Sequence, residues 1–249
     1  YGKLLGKGKV EVSGPGDKKE VSAKNIILAT GSEARTLPNL KVDAKRILTN
    51  IEILDITDVP KSLVVIGGGA VGVEFASLFR TFGAEVTMLE MLPRLVPIED
   101  EEISAELARA FRKCGIQTHT STKVNKVTNG SKDVIVEFTD AEGKPRQLSA
   151  EKLLVAVGRC PNTKNIGIEN TKIKTDREFI KVNEWMQTDE PGVWAIGDIV
   201  AGTPQLAHVA SMEGCVAVGK IAGKTVRPIN YRQSPSATYC EPQIGAVGL

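Results

Sequence analysis

The chain has 249 residues, 32 basic against 30 acidic side chains for a formal net charge of +2, and 4% aromatics. That length carries one large or two ordinary domains with a sizeable core. The even charge balance, with no basic block interleaved with aromatics, argues against a nucleic-acid surface, and no apolar run reaches the ~18–20 residues of a membrane span.

Residues 1–28 read as β-structure. Lys9-Val10-Glu11-Val12 alternates, Gly14-Pro15-Gly16-Asp17 is a turn, and 24–28 form a further strand running into Ala29-Thr30-Gly31-Ser32. The first residue is Tyr1, already in strand-like sequence, and the last residues follow the apolar Ile244-Gly245-Ala246-Val247. Both ends are expected to fall inside structure, as in a piece of a longer protein. No signal-peptide pattern opens the chain. Pro38 and Pro60 bracket a connecting segment, where Thr49-Asn50 offers a helix cap.

Residues 62–72 carry the most information. Ser62-Leu63-Val64-Val65-Ile66 reads as a buried strand, followed by Gly67-Gly68-Gly69-Ala70-Val71-Gly72 and a helix start. This is G-x-G-x-x-G in the order a dinucleotide needs. Gly67 allows the tight turn, Gly69 lets the backbone approach a pyrophosphate, and Gly72 lets the helix pack close to the strand. The phosphates would lie over the helix N-terminus around Ala70 and Val71, where unpaired N–H groups and the macrodipole favour negative charge. Taken alone, the glycines fit a plain strand–helix turn as well. The continuation decides for a nucleotide. Val71, Phe75, Leu78, Phe79 and Phe82 give an apolar helix face, Gly83 stops the helix, and 84–89 read as a second strand ending at Glu90. A carboxylate about 20 residues beyond the glycines accepts hydrogen bonds from a ribose 2′-hydroxyl and repels a 2′-phosphate. The expectation is NAD(H) rather than NADP(H), with Arg94 as the nearby residue that argues the other way.

Residues 99–102 place four acids in the first turn of the next helix, where they complement its dipole. Ile103, Leu107, Ala110, Phe111 and Cys114 form its predicted buried stripe, and Gly115 ends it. Three β-stretches follow at 123–128, 134–139 and 147–157, separated by Asn129-Gly130 and Glu142-Gly143, as a meander completing the nucleotide domain. Gly158-Arg159-Cys160-Pro161 breaks the pattern. Strand-like 179–182 and 188–198 come next, then a helix starting near Leu206 and running through Ala207, Ala210, Val216 and Ile221. The four cysteines lie far apart, with no zinc spacing and no local redox pair; free thiols in a reducing, cytoplasmic compartment are expected, with Cys114 in the core. No metal site is expected.

Four motifs now stand in order: Ala29-Thr30-Gly31, Gly67-x-Gly69-x-x-Gly72-x-Glu74, Ala156-Val157-Gly158-Arg159, and Trp194-Ala195-Ile196-Gly197-Asp198. Over its whole length the chain resembles the two-dinucleotide-binding flavoprotein disulfide oxidoreductases. Glu90-Met91-Leu92-Pro93-Arg94-Leu95, Asn165-Ile166-Gly167-Ile168-Glu169 and Leu206-Ala207-His208 with Glu213-Gly214 are most similar to the dihydrolipoamide dehydrogenase branch.

The resemblance implies an α/β fold of tandem Rossmann-like FAD- and NAD(P)-binding domains, with the NAD domain inserted in an FAD domain and truncated at both ends. Residues 1–55 and 160–228 would be FAD-domain parts, 56–159 the NAD domain, and 229–249 the start of a dimerisation domain. Asp198 would hold the ribityl hydroxyls of FAD, with Gly197 leaving room, and the helix start at Leu206, Ala207 and His208 would face the flavin N1–C2=O edge. A positive helix end there stabilises a reduced, anionic flavin. Gly158 would line the NAD cleft, and Glu74 would sit near the nicotinamide or be a first-turn helix acid. His208 is read as near the flavin or structural, and no residue is assigned as catalytic. The implied reaction oxidises dihydrolipoamide and passes hydride through FAD to NAD⁺, in a homodimer serving the lipoyl domain of a 2-oxo acid dehydrogenase complex. The N-terminal FAD glycine motif, the C-x-x-x-x-C pair and the C-terminal His–Glu pair of the family are not in this sequence, so the chain as written is not expected to cycle a dithiol. The alternatives are a mercuric reductase, glutathione reductase or transhydrogenase, or a non-catalytic NAD-binding fragment.

Overall fold

The run Leu63-Val64-Val65-Ile66 is buried on both faces because it is an inner strand of a parallel sheet. The computed structural model describes residues 1–38 and 40–248. The chain divides into two units, Tyr1–Glu33 with Cys160–Ser234, and Ala34–Arg159 with Pro235–Ala246.

The second unit holds, in chain order, β1 (Ile47–Leu48), β2 (Ser62–Ile66), α1 (Ala70–Thr81), β3 (Glu85–Leu89), α2 (Glu101–Lys113), β4 (Gln117–His119), β5 (Lys123–Asn129), β6 (Val134–Thr139), β7 (Pro145–Ala150) and β8 (Lys152–Val155). The parallel sheet has the order β1-β8-β2-β3-β4, with Val64 between Leu153 and Thr87. Leu63 and Val65 face Val73, Ala76 and Phe79 of α1 and Leu107 and Phe111 of α2. The alternate residues Val64 and Ile66 face Val134, Val136 and Phe138 from the antiparallel β5-β6-β7 meander. The unit is therefore three layers deep, and the expected α/β class holds.

Three expectations are corrected in detail. On α1 the buried face is Gly72, Val73, Ala76, Ser77 and Phe79, whereas Leu78 and Phe82 are exposed. Small residues let the helix lie close to the strand, so the small face wins over the bulky one. On α2 only Glu101 and Glu102 occupy the first turn, with Asp100 at the N-cap and Glu99 before it. Its buried residues are Ser104, Leu107 and Phe111, leaving Ile103 and Cys114 exposed. Ser104 turns inward because its hydroxyl donates to the Val96 carbonyl. The stretch 147–157 is two strands in two sheets. The corner at Glu151 is pinned to the entry of β2: the Lys61 amide donates to the Glu151 carboxylate at 2.8 Å, and the Glu151 amide to the Ser62 hydroxyl at 3.0 Å.

The first unit carries an antiparallel sheet of Gly2–Gly6, Lys9–Gly14 and Asp17–Ser22, and a parallel pair Ile26–Leu28 with Val193–Ala195. Both strands of the pair are shorter than the sequence pattern suggests. The helix α3 (Ala207–Ile221) begins where the sequence places it. Leu4, Leu28, Ile180, Val193, Ala195 and Ile199 form the core. Among the described residues no helix is long and apolar enough to cross a membrane, and no group of His, Cys, Asp and Glu could hold a metal ion.

Candidate functional site

After β2 the chain winds outward through β3 and β4, then returns to place β8 on the other side of β2. This reversal opens a crevice at the carboxyl ends of the strands, the place where open α/β sheets bind ligands. A cavity of about 740 Å³ lies there, lined by Ile66 at the end of β2, Gly67 and Gly69 after it, Glu90 after β3, and Ala156 and Gly158 after β8.

The three glycines differ in what surrounds them. Gly67 has φ +112°, and a Cβ on it would lie 2.2 Å from the Ala156 carbonyl oxygen. A Cβ on Gly72 would lie 2.0 Å from the Gly67 carbonyl oxygen, so the helix start rests directly on the turn. Gly69 is the opposite case: it lines the cavity, and a Cβ there would meet no protein atom within 4 Å. Ala70 and Val71 follow as the first residues of α1 and also line the cavity. Gly69 is the N-cap with no side-chain hydrogen bond, so the first-turn amides lack a capping acceptor from it. Bare backbone, open space and a positive helix end together suit an anionic diphosphate.

Glu90 is only 8% exposed, yet it lines the cavity. Its carboxylate accepts the Gly68 amide on Oε2 and the Leu92 amide on Oε1, the latter at 2.7 Å. Each carboxylate oxygen has a second lone-pair direction, so acceptor capacity remains for hydroxyl groups. Arg94 is turned elsewhere: Nη1 pairs with Glu101 at 2.6 Å and Nη2 donates to the Pro97 carbonyl at 3.1 Å. It does not line the cavity.

Glu74 is also outside the lining. Its Oε1 accepts the Tyr239 amide at 2.8 Å, tying α1 to the hairpin of Ser236–Thr238 and Ile244–Ala246. Gly158 lines the cavity with φ +106°. Arg35 lines it as well, its amide donating to the Gly158 carbonyl at 2.9 Å. Sequence reading passed over Arg35, because no periodicity or motif ties 34–38 to the βαβ unit.

In the first unit Gly197 and Asp198 open a single 3-10 turn after the strand Val193–Ala195. Gly197 has φ +73°. The Asp198 Oδ2 accepts the Ser32 hydroxyl at 2.5 Å. Leu206 is the half-buried N-cap of α3, followed by the exposed Ala207 and His208. Glu213, one of the motif residues, is fully buried behind this turn.

The sequence profile of the pyridine nucleotide-disulphide oxidoreductases matches residues 1–214. A dihydrolipoyl dehydrogenase of Rhizobium etli is 43% identical over 92% of this chain and 47% of its own length. One from Bacillus subtilis is 41% identical over 100% of this chain and 54% of its own. The crystal structure of LpdA from Mycobacterium tuberculosis superposes with a TM-score of 0.91 at 29% identity, covering all of this chain and 55% of that one. The chain therefore spans about half the length of the curated relatives it matches. With its parallel sheet, its glycine turn and this match over most of its length, the chain belongs to the pyridine nucleotide-disulphide oxidoreductase family.

Proposed function

We propose that the cavity of the second unit binds NAD(H), and that the protein carrying this chain oxidises dihydrolipoamide with hydride passing to NAD⁺. One observation carries the reading: bare Gly69 backbone, the start of α1 and the buried Glu90 carboxylate border one cavity of about 740 Å³. The α1 amides around Ala70 and Val71 hold the pyrophosphate. Glu90 orients the adenosine ribose through its hydroxyls and repels a 2′-phosphate. Gly67 and Gly72 shape the turn, and Gly158 keeps the far wall open. In the first unit Asp198 holds the ribityl chain of FAD, beside Gly197. The start of α3 at Leu206, Ala207 and His208 would lie near the flavin, where its positive helix end would favour negative charge. When bound, FAD supplies the two-electron relay between a dithiol and NAD⁺. The natural dithiol in this reading is the lipoyl group of a 2-oxo acid dehydrogenase complex, met by a cytoplasmic homodimer.

A second reading draws on the cysteines. All four are free, and they lie far apart in sequence. Thiol–disulfide exchange needs a cysteine pair, so the chain by itself binds nucleotide without dithiol chemistry. The test is NADH formation from dihydrolipoamide and NAD⁺. The chain alone gives none, whereas the chain joined to the remaining half of a dihydrolipoyl dehydrogenase gives dithiol-dependent NADH. A joined protein that holds FAD and folds but ignores dihydrolipoamide contradicts the proposed substrate.

A further inference from the structure

Glu213 is fully buried on α3, on the same face as Val209, Val216 and Ala217. A carboxylate in such a place is tolerated only when donors satisfy it. The Gly197 amide donates to its Oε2 at 2.6 Å, and the Tyr231 hydroxyl donates to its Oε1 at 3.0 Å. With Thr203 as a third side-chain donor, these groups meet an acceptor-only carboxylate, which is the match its ionised form makes best. Burial pushes the Glu213 carboxyl upward, with hydrogen bonds from Gly197, Tyr231 and Thr203 opposing it; burial and the facing carboxylate push Tyr231 upward too.

The turn is also held by its neighbours, the Ile196 amide donating to the Leu28 carbonyl and the Val200 amide to the Gly197 carbonyl, but the Gly197 amide itself is taken by Glu213. Gly197 has no side chain, and its φ of +73° is one that other residues rarely adopt. A Cβ on it would lie 3.3 Å from the Ala210 Cβ, so the turn lies against α3 itself. Asp198 is the next residue, and its carboxylate takes the Ser32 hydroxyl from the strand side. Anchoring the Gly197 amide thus fixes the backbone from which the Asp198 carboxylate projects.

We propose that Glu213 is a positioning residue for the flavin site: with Tyr231 behind it, its carboxylate holds the Gly197 amide and so sets Asp198 for the ribityl chain. This rests on the reading of Gly197 and Asp198 as FAD residues. Alanine at 213 takes the acceptor away from the half-buried Gly197 and Tyr231 donors and from Thr203. Glutamine keeps the shape and can satisfy both neighbours, accepting from Gly197 through its oxygen while the Tyr231 hydroxyl turns to accept from its amide. Rescue by glutamine therefore separates the hydrogen-bond geometry from the charge.

The experiment measures amide hydrogen exchange by NMR on the whole 249-residue chain, with FAD titration of the chain joined to the remaining half of a dihydrolipoyl dehydrogenase. Glu213→Ala speeds exchange at Gly197 about 10- to 100-fold while Val193–Ala195 exchange as before. Tyr231→Phe moves Gly197 in the same direction by less, and Glu213→Gln returns it to within a few-fold of wild type. FAD affinity follows the same order, with Asp198→Asn weakening it as the control. Unchanged Gly197 exchange in Glu213→Ala overturns the proposal, and so does faster exchange at Val193–Ala195 to the same degree, which makes Glu213 a core residue only. If the joined wild-type protein takes no FAD, or its Asp198→Asn variant binds it unchanged, the flavin reading falls and the assigned purpose of Glu213 falls with it. The Gly197 exchange data then still report the clamp, so the two failures are told apart.

Discussion

Gly67, Gly69 and Gly72 are the same residue type under three different constraints. Gly72→Ala drives a methyl group to 2.0 Å from the Gly67 carbonyl oxygen, and either the helix or the turn must move. It is expected to cost about 1–3 kcal/mol of stability, read from denaturant unfolding. Gly69→Ala meets no protein atom, so the melting temperature stays near wild type while NADH affinity falls about tenfold or more, a loss of ~1.4 kcal/mol or more of binding. An equal effect of Gly69→Ala on folding would contradict the open-backbone account. Glu90 joins both roles, because it holds the Gly68 and Leu92 amides and lines the cavity. Glu90→Ala is expected to lose about 1–3 kcal/mol of stability along with NADH affinity, measured by thermal unfolding and titration. The local geometry of these residues was legible in the sequence because glycine and a strand-end carboxylate act through a backbone that spacing specifies. The bond that Glu74 accepts from the Tyr239 amide was not legible: the donor comes from a segment far along the chain, and local pattern says nothing of such a meeting.

At the scale of elements, the strand–turn–helix order of β2, α1 and β3 was readable because each segment has a clear period and a glycine boundary. Which helix face turns inward was not. Counting large apolar residues favoured Leu78, Phe82 and Ile103, but Gly72, Ala76, Ser77 and Ser104 allow closer approach and a serine can satisfy its hydroxyl inside. The join between the two helices also escaped the sequence. Arg80 on α1 donates from Nε to the Cys114 carbonyl at 2.7 Å and from Nη1 to the Ala84 carbonyl at 3.1 Å. It thereby places a cation at the C-terminal end of α2. Arg80→Met keeps the aliphatic stem and is expected to cost about 1–2 kcal/mol, seen as a lower urea midpoint with unchanged slope. Asp43 ties the entry to β1 onto the meander. Burial raises its carboxyl, but hydrogen bonds from the Lys45, Ile47 and Arg46 amides and Asn129 outweigh that and bring it from 3.8 to about 2. A carboxyl lowered by folding contributes stability above its unfolded value, and that contribution is lost as pH falls from about 4 through about 2. Asp43→Asn should flatten the melting-temperature decline across that window; an unchanged decline would place the acid sensitivity elsewhere.

On the scale of the whole molecule, each unit carries its own candidate site. The proposed NAD cavity is lined only by residues of the second unit, so nucleotide binding is expected of this chain even though it spans half the length of its relatives. Ligand binding to the folded state stabilises by mass action, about 2.7 kcal/mol at a hundredfold excess over Kd. NADH should therefore raise the melting temperature and slow amide exchange in β2, β3 and α1. The family was legible because several short motifs recur in order along the chain. The two-sheet split after β7 was not, since a single residue at the corner, Glu151, decides it through long-range bonds to Lys61 and Ser62. The most direct measurement is calorimetric titration of the purified chain with NADH and, separately, with NADPH. The structure predicts one NADH site per chain, with NADPH at least about tenfold weaker because its 2′-phosphate faces Glu90. Equal binding of the two would remove Glu90 from the ribose, and binding of neither would contradict the nucleotide site itself.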